Sequence, residues 1–168
     1  MVIKEKLLEQ LEEWMDWLET PNEDFGGFPV CPFLTPERKQ DKLFIDFYDY
    51  RQKSLFSMIE EFDENDRYTT ALYLHVLGGE GQKTKDYGEW VTYELDRLGF
   101  SHLKAICFSP WEKITKNKVK TRIEAPCFIT SITTHESLDE AWEKIKDTNY
   151  WKKTEKVLDL YINSLLYL

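Results

Sequence analysis

The ten residues YTTALYLHVL, positions 68–77, decide how the rest of the chain is read. They form a short apolar run rich in β-branched and aromatic side chains, the composition that favours strands. Apolar residues fall at consecutive positions, Ala71 through Leu74, and do not alternate with polar ones. A strand of that kind is covered on both faces, which places it centrally in a sheet with parallel neighbours. The glycine-rich GGEGQK at 78–83 ends it.

Working outward, KLFIDFYDY at 42–50 is a second strand. Between the two, Leu55, Phe56, Ile59 and Phe62 make one face of a short helix. On the other side, Tyr87, Trp90, Val91, Leu95 and Leu98 make a second helical face, closed by Gly99. LKAICFSP at 103–110 is a third strand. Two strand–helix–strand crossovers predict that these three strands run parallel with right-handed connections. EKITKNKVKTRIE at 112–124 predicts a hairpin turning near Lys116-Asn117-Lys118. PCFITSITT at 126–134 then returns as a fourth, antiparallel strand.

The ends of the chain supply helices. Ile3, Leu7, Leu11, Trp14 and Leu18 recur at helical spacing, and Thr20-Pro21 ends that helix. Ser137 with Glu140 forms a capping box ahead of Trp142 and Ile145. Val157, Leu158, Tyr161, Ile162 and Leu165 predict a last helix. The expected order is α-β-α-β-α-β-β-α-α. The fold class is therefore α+β (mixed α/β), a four-stranded mixed sheet with helices packed on it. The 168 residues hold no internal repeat or linker, so residues 1–168 read as a single domain.

Composition narrows the partners. A formal charge of −9 and a pI near 4.9 oppose binding to phosphate backbones and to anionic lipid surfaces. Nucleic acid and membrane are therefore not expected partners. Cys31, Cys107 and Cys127 are odd in number and far apart, without a Cys-x-x-Cys pair. That pattern predicts reduced thiols in a cytoplasmic protein, with no disulfide framework or zinc clasp. The N-terminal helix intersperses its apolar residues with glutamates, unlike a signal peptide. No cofactor fingerprint is present: LGGEGQKT lacks the glycines of a phosphate loop and carries Glu80, and there is no His-Glu-x-x-His or dinucleotide motif.

The most restricted segment is GGFPVCPF at 26–33, where Pro29 and Pro32 flank Cys31. It lies in a proline-rich stretch, 21–41, expected to be a long irregular loop. Trp14 and Trp17 precede VCPFL (30–34), ICFSPW follows at 106–111, RIEAPCFITSI at 122–132 and SLDEAWEKI at 137–145. In this order the chain resembles an uncharacterised bacterial family. Its members carry a Trp-bearing helix, an Asn-Leu-Cys-Pro-Phe-Ala loop, a strand ending Phe-His-Pro and an Asn-Arg-Ser-Pro-Tyr-Pro segment. The resemblance carries over at Cys31, Pro32, Phe33, Phe108, Pro110 and Pro126. The family's two histidines fall at Ser109 and Ser131, and its arginine at Thr134. The resemblance implies a fold and a site location, and supplies no reaction.

Three functions follow as expectations. The first is a domain binding a small ligand or peptide in a cleft under the Cys-Pro-Phe loop. That cleft is lined by Phe28, Pro32, Phe33, Phe108, Ser109, Trp111, Arg122 and Pro126. The second is a cysteine-dependent enzyme with Cys31 as nucleophile, helped by His75 or His135, which needs a thiolate beside a cation or base. Against it, Cys31 among Phe28, Val30 and Phe33 also suits a packed loop anchor. The third recruits a protein partner through Lys113, Lys116, Lys118, Lys120 and Arg122 of the basic hairpin 113–122, residues that equally suit protection of a sheet edge. His102, after the Gly99 turn, reads as a surface loop residue.

Overall fold

The computed structural model describes residues 2–23, 26–79, 83–110, 124–148 and 150. The expected hairpin tip and the last helix, 157–165, lie outside them. Eleven elements are described: α1 (Val2–Glu19), β1 (Pro21–Asn22), β2 (Phe28–Pro29), α2 (Leu34–Lys39), β3 (Leu43–Tyr48), α3 (Leu55–Asp63), β4 (Thr70–His75), α4 (Thr84–Arg97), β5 (Leu103–Phe108), β6 (Ile129–Thr134) and α5 (His135–Ile145).

The main sheet has the order β3-β4-β6-β5. β3 and β4 are parallel, with Leu43 opposite Thr70 and Tyr48 opposite His75. β6 runs antiparallel to both its neighbours, with Ile132 opposite Ala71 of β4 and Ala105 of β5. The first three strands therefore share one direction, as expected, and the fourth is inserted between the second and third. Residues 129–133 are all buried, which is the condition of a strand covered on both faces.

Side-chain alternation sorts the core into two layers. Ala71 and Tyr73 of β4 face α3 and α4, where they meet Ile59, Phe62, Val91 and Leu95. Tyr73 lies in that layer with its hydroxyl donating to the Met58 carbonyl at 2.9 Å, so its polar tip is satisfied. Leu72 and Leu74 face the opposite way, against Leu11, Trp14, Met15 and Leu18 of α1. Helices α3 and α4 share a face because both crossovers travel across the sheet in the same direction, and a common hand then lays them on the same side.

Two features differ from the sequence-based expectation. The 21–41 stretch is more ordered than an irregular loop. Gly26 (φ 71°) and Gly27 (φ 85°) turn the chain so that Pro21 lies opposite Pro29 in a short ribbon. Pro36 then sits in the first turn of α2, where a missing N–H is tolerated. The second difference is at α5. β6 runs directly into the helix, and Thr134, not Ser137, is the N-cap: its Oγ1 accepts from the Ser137 N–H at 3.1 Å.

The proline segment is fastened to α1. Arg38 of α2 donates to Asp16 Oδ1 at 2.9 Å, Glu19 Oε2 at 2.7 Å and Glu12 Oε2 at 2.7 Å, three acids on one face of α1. The Cys31 N–H donates to the Leu18 carbonyl at 2.9 Å, satisfying an acceptor in the last turn of α1. Among the described residues, no helix is long and apolar enough to cross a membrane.

Leu74 is fully buried between β6 and α1. Leu74→Ala is expected to lower the unfolding free energy by about 2–5 kcal/mol, the range for a buried leucine that leaves a cavity. Urea denaturation with an unchanged m-value is the check.

Candidate functional site

Cys31, His75 and His135 are held apart. Cys31 packs in the layer between the sheet and α1, with Val30, Phe108 and Cys127. Burial pushes its thiol pKa up and Glu19 adds to the shift, against hydrogen bonds from the Phe33 and Leu34 backbone. His75 projects from the other face of the sheet. Its ring lies 4.8 Å from that of Tyr48 and 4.9 Å from that of Phe128, and its Nε2 is 2.8 Å from Thr130 Oγ1. Burial lowers its pKa to about 4, so it is a neutral imidazole at pH 7. His135 opens α5 at the opposite end of the sheet, where its N–H donates to the His102 carbonyl at 3.0 Å. The expected thiol–imidazole pair is therefore not assembled, because the sheet separates Cys31 from His75 and the length of the strands separates His75 from His135.

The other two thiols lie on opposite faces of the sheet. Cys107 is buried and lies 3.9 Å from Thr130 Oγ1. Helix α4 approaches β5 closely at Gly88, where a Cβ would stand 3.3 Å from the Ala105 carbonyl and 3.7 Å from Cys107 Sγ. Burial pushes the Cys127 thiol up to about 11, against a hydrogen bond from the His75 backbone.

The residues expected to line a cleft under the Cys-Pro-Phe loop are engaged in packing. Phe28 and Phe33, with Val30, cover Ile145 and Tyr150 of the C-terminal region. The Phe28 and Tyr150 rings meet edge to face at 6.0 Å, and the Tyr150 hydroxyl donates to the Val30 carbonyl at 3.2 Å. Phe108 meets Trp14 edge to face at 5.2 Å. Ser109 is buried, and Pro32 and Pro126 are half-buried. Trp111, Arg122 and the basic stretch 113–122 lie outside the described residues.

A cavity of about 340 Å³ opens instead at the other end of the sheet. It is walled by Phe62 and Asp63 from the end of α3, by Asn65, Asp66 and Tyr68 from the turn that follows, and by His102, Leu103 and Thr134. Local sequence builds each wall. Asn65 accepts the Arg67 N–H at 3.1 Å through its side chain, and its own N–H reaches the Phe62 carbonyl at 3.0 Å, which folds 63–67 back from the helix. Gly99 (φ 92°) turns the chain after α4 and brings His102 to the rim. There His102 Nε2 is 2.6 Å from Asp63 Oδ1.

A second cavity of about 90 Å³ adjoins it, sharing Phe62, Asn65 and Tyr68 and adding Phe44, Asp46, Met58 and Glu61. His102 is an exposed turn residue, as expected, and the sequence reading did not connect it with Asp63. The available signal was the run Asp63-Glu64-Asn65-Asp66, acidic just where a helix ends and cations are favoured.

Among the described residues, no group of three or more His, Cys, Asp or Glu side chains is arranged to hold a metal ion. The chain matches no family model, no curated protein and no solved structure.

Two outcomes follow from the thiol and imidazole environments. With iodoacetamide at pH 7 the folded protein should alkylate about a hundredfold or more slowly than free cysteine, since the thiolate is the nucleophile. Urea should restore the rate, and mass spectrometry of quenched samples reads both. For His75, the unfolded chain takes up a proton near the ordinary 6.5, whereas the folded chain does so only near 4. Its contribution to stability is therefore complete above pH 6.5 and is lost as the pH falls from 6.5 towards 4, by an amount of order 3 kcal/mol. Denaturation of His75→Gln across that window should show the slope reduced.

Proposed function

We propose that this chain is a binding domain for a small ligand or short peptide, with its site in the cavity between the end of α3 and the start of β5. The observation that carries this reading is the cavity itself: about 340 Å³ falls within the roughly 300–1,000 Å³ of small-molecule sites. Its walls are mostly polar, with Asp63, Asn65, Asp66, His102 and Thr134 beside Phe62, Tyr68 and Leu103.

The reading keeps the function class expected from the sequence and moves the site away from the Cys-Pro-Phe loop. Phe28 and Phe33 of that loop are occupied with the C-terminal region, and its backbone closes the end of α1. A cysteine-dependent enzyme is the weaker reading, because the sheet separates Cys31 from His75, and Cys107 is buried with the Thr130 hydroxyl between it and the His75 ring. The His102–Asp63 pair does not change this. Thr134, whose hydroxyl belongs to a lining residue, is engaged as the cap of α5.

The test is a titration of isotope-labelled protein with a panel of small amines, carboxylic acids and polyols, followed by amide chemical shifts. Binders are expected to perturb residues 62–68, 102–103 and 134 together. Binders that perturb 28–34 and 126–128 instead would return the site to the proline segment.

A further inference from the structure

We infer that the outer edge of β3 is an interaction surface for a second copy of this chain, joined by antiparallel pairing about a two-fold axis at Phe44. The inference does not depend on the cavity. β3 and β5 are the outer strands of the main sheet, and they are finished differently. On β5 the outward Ala105 N–H donates to Thr92 Oγ1 of α4 at 3.0 Å, and most of the strand is buried. On β3 all six residues are half-buried. Register fixes which backbone groups of β3 face outward. The Thr70 N–H donates to the Lys42 carbonyl and the Val76 N–H to the Tyr48 carbonyl, so the even-numbered residues bond to β4. Leu43, Ile45 and Phe47 turn their N–H and C=O groups the other way. Phe47 has a local partner, because its N–H donates to Asp46 Oδ1 at 2.7 Å. Among the described residues, the Leu43 and Ile45 N–H groups have none.

One pairing uses those two donors and leaves the Phe47 bond intact. With Phe44 opposite its own copy, Leu43 of each chain exchanges both backbone hydrogen bonds with the partner's Ile45. The same register sets Lys42 of each chain opposite the partner's Asp46, an opposite-charge pair made on both sides of the axis. Lys42 takes part in no ion pair among the described residues, and Asp46 keeps its second oxygen beside the Phe47 bond. The two Phe44 rings meet as a close cross-strand pair, which continues the aromatic layer of Phe62, Tyr68 and Tyr73 into the partner. A register centred on Ile45 would instead take the Phe47 N–H from Asp46 and set Phe44 opposite Asp46. Hydrogen bonding and charge therefore select the same alignment. Pairing along one strand buries less than the roughly 1,600 Å² of a standard interface, so the dimer is weak, with a Kd on the order of 100 µM.

The test is sedimentation velocity from about 10 µM to about 1 mM, over which the mass should rise from monomer towards dimer. Amide hydrogen exchange across the same range should slow about threefold or more at Leu43 and Ile45, with Phe47 unchanged. Lys42→Glu and Asp46→Lys should each hold the chain monomeric. An equimolar mixture of the two variants should dimerise again, because each then presents the charge the other needs. A chain still monomeric at about 1 mM overturns the inference. So does a dimer that neither substitution weakens, or two variants of native circular dichroism that stay monomeric when mixed. Protection that rises with concentration at Trp90 and Tyr93, on the exposed face of α4, and not at Leu43 and Ile45 overturns it in favour of another interface. If either variant misfolds, the exchange pattern of the unaltered chain decides alone.

Discussion

The structure depends on β6 lying antiparallel between two strands that run the other way. That position gives it hydrogen-bonding neighbours on both edges and protein on both faces, so each of its polar side chains needs a partner. Partners are in place for Thr130, Thr133 and Thr134. Thr130 meets the His75 ring, and Thr133 Oγ1 meets Thr70 Oγ1 at 3.1 Å and the Thr69 carbonyl at 3.4 Å. Thr134 leaves the strand and caps the helix that follows. Ile129 and Ile132, three residues apart in ITSITT, thus enter opposite cores while the threonines form a polar seam. His75 is better understood as part of that seam than as a reactive base.

The same strand separates the two functional ideas in space. The layer holding Cys31 and Cys127 lies on the α1 side, and the layer holding His75 and Cys107 lies on the α3–α4 side. The sheet thus holds Cys31 and His75 on opposite faces. The cavity at the far end avoids this barrier, because it is assembled at the sheet's rim from turns, where side chains from α3, β5 and β6 converge. Turns are where binding groups commonly collect on a rigid frame.

Much of the frame was legible in the sequence. The consecutive apolar residues 71–74 marked a strand covered on both faces, and the 3.6-residue spacing in 55–62 and 87–98 marked the helices that cover one of them. Strand directions followed from the crossovers. The insertion of β6 between β4 and β5 was not legible, because local patterning fixes which face is buried and not which neighbour is chosen. The helix cap at Thr134 was displaced by three residues because Ser137-x-x-Glu140 is the stronger local motif, while the strand's geometry fixed the actual start. The site was the least legible part. Phe28, Cys31 and Phe33 stand out by composition, yet their contacts are structural. Asp63 and His102, 39 residues apart, become neighbours only through the tertiary fold.

The central position of the last strand also shapes how the chain acquires its structure during synthesis. β3 and β4 precede β6 in the chain, so β4 can pair with β3 before its second neighbour has been made. Thr70 and Thr133, in contact at the end, are 63 residues apart. Closing so long a span costs loop entropy before any contact rewards it, and sheets dominated by such pairings fold slowly. The second edge of β4 is therefore closed late, by the last of the four strands to be made.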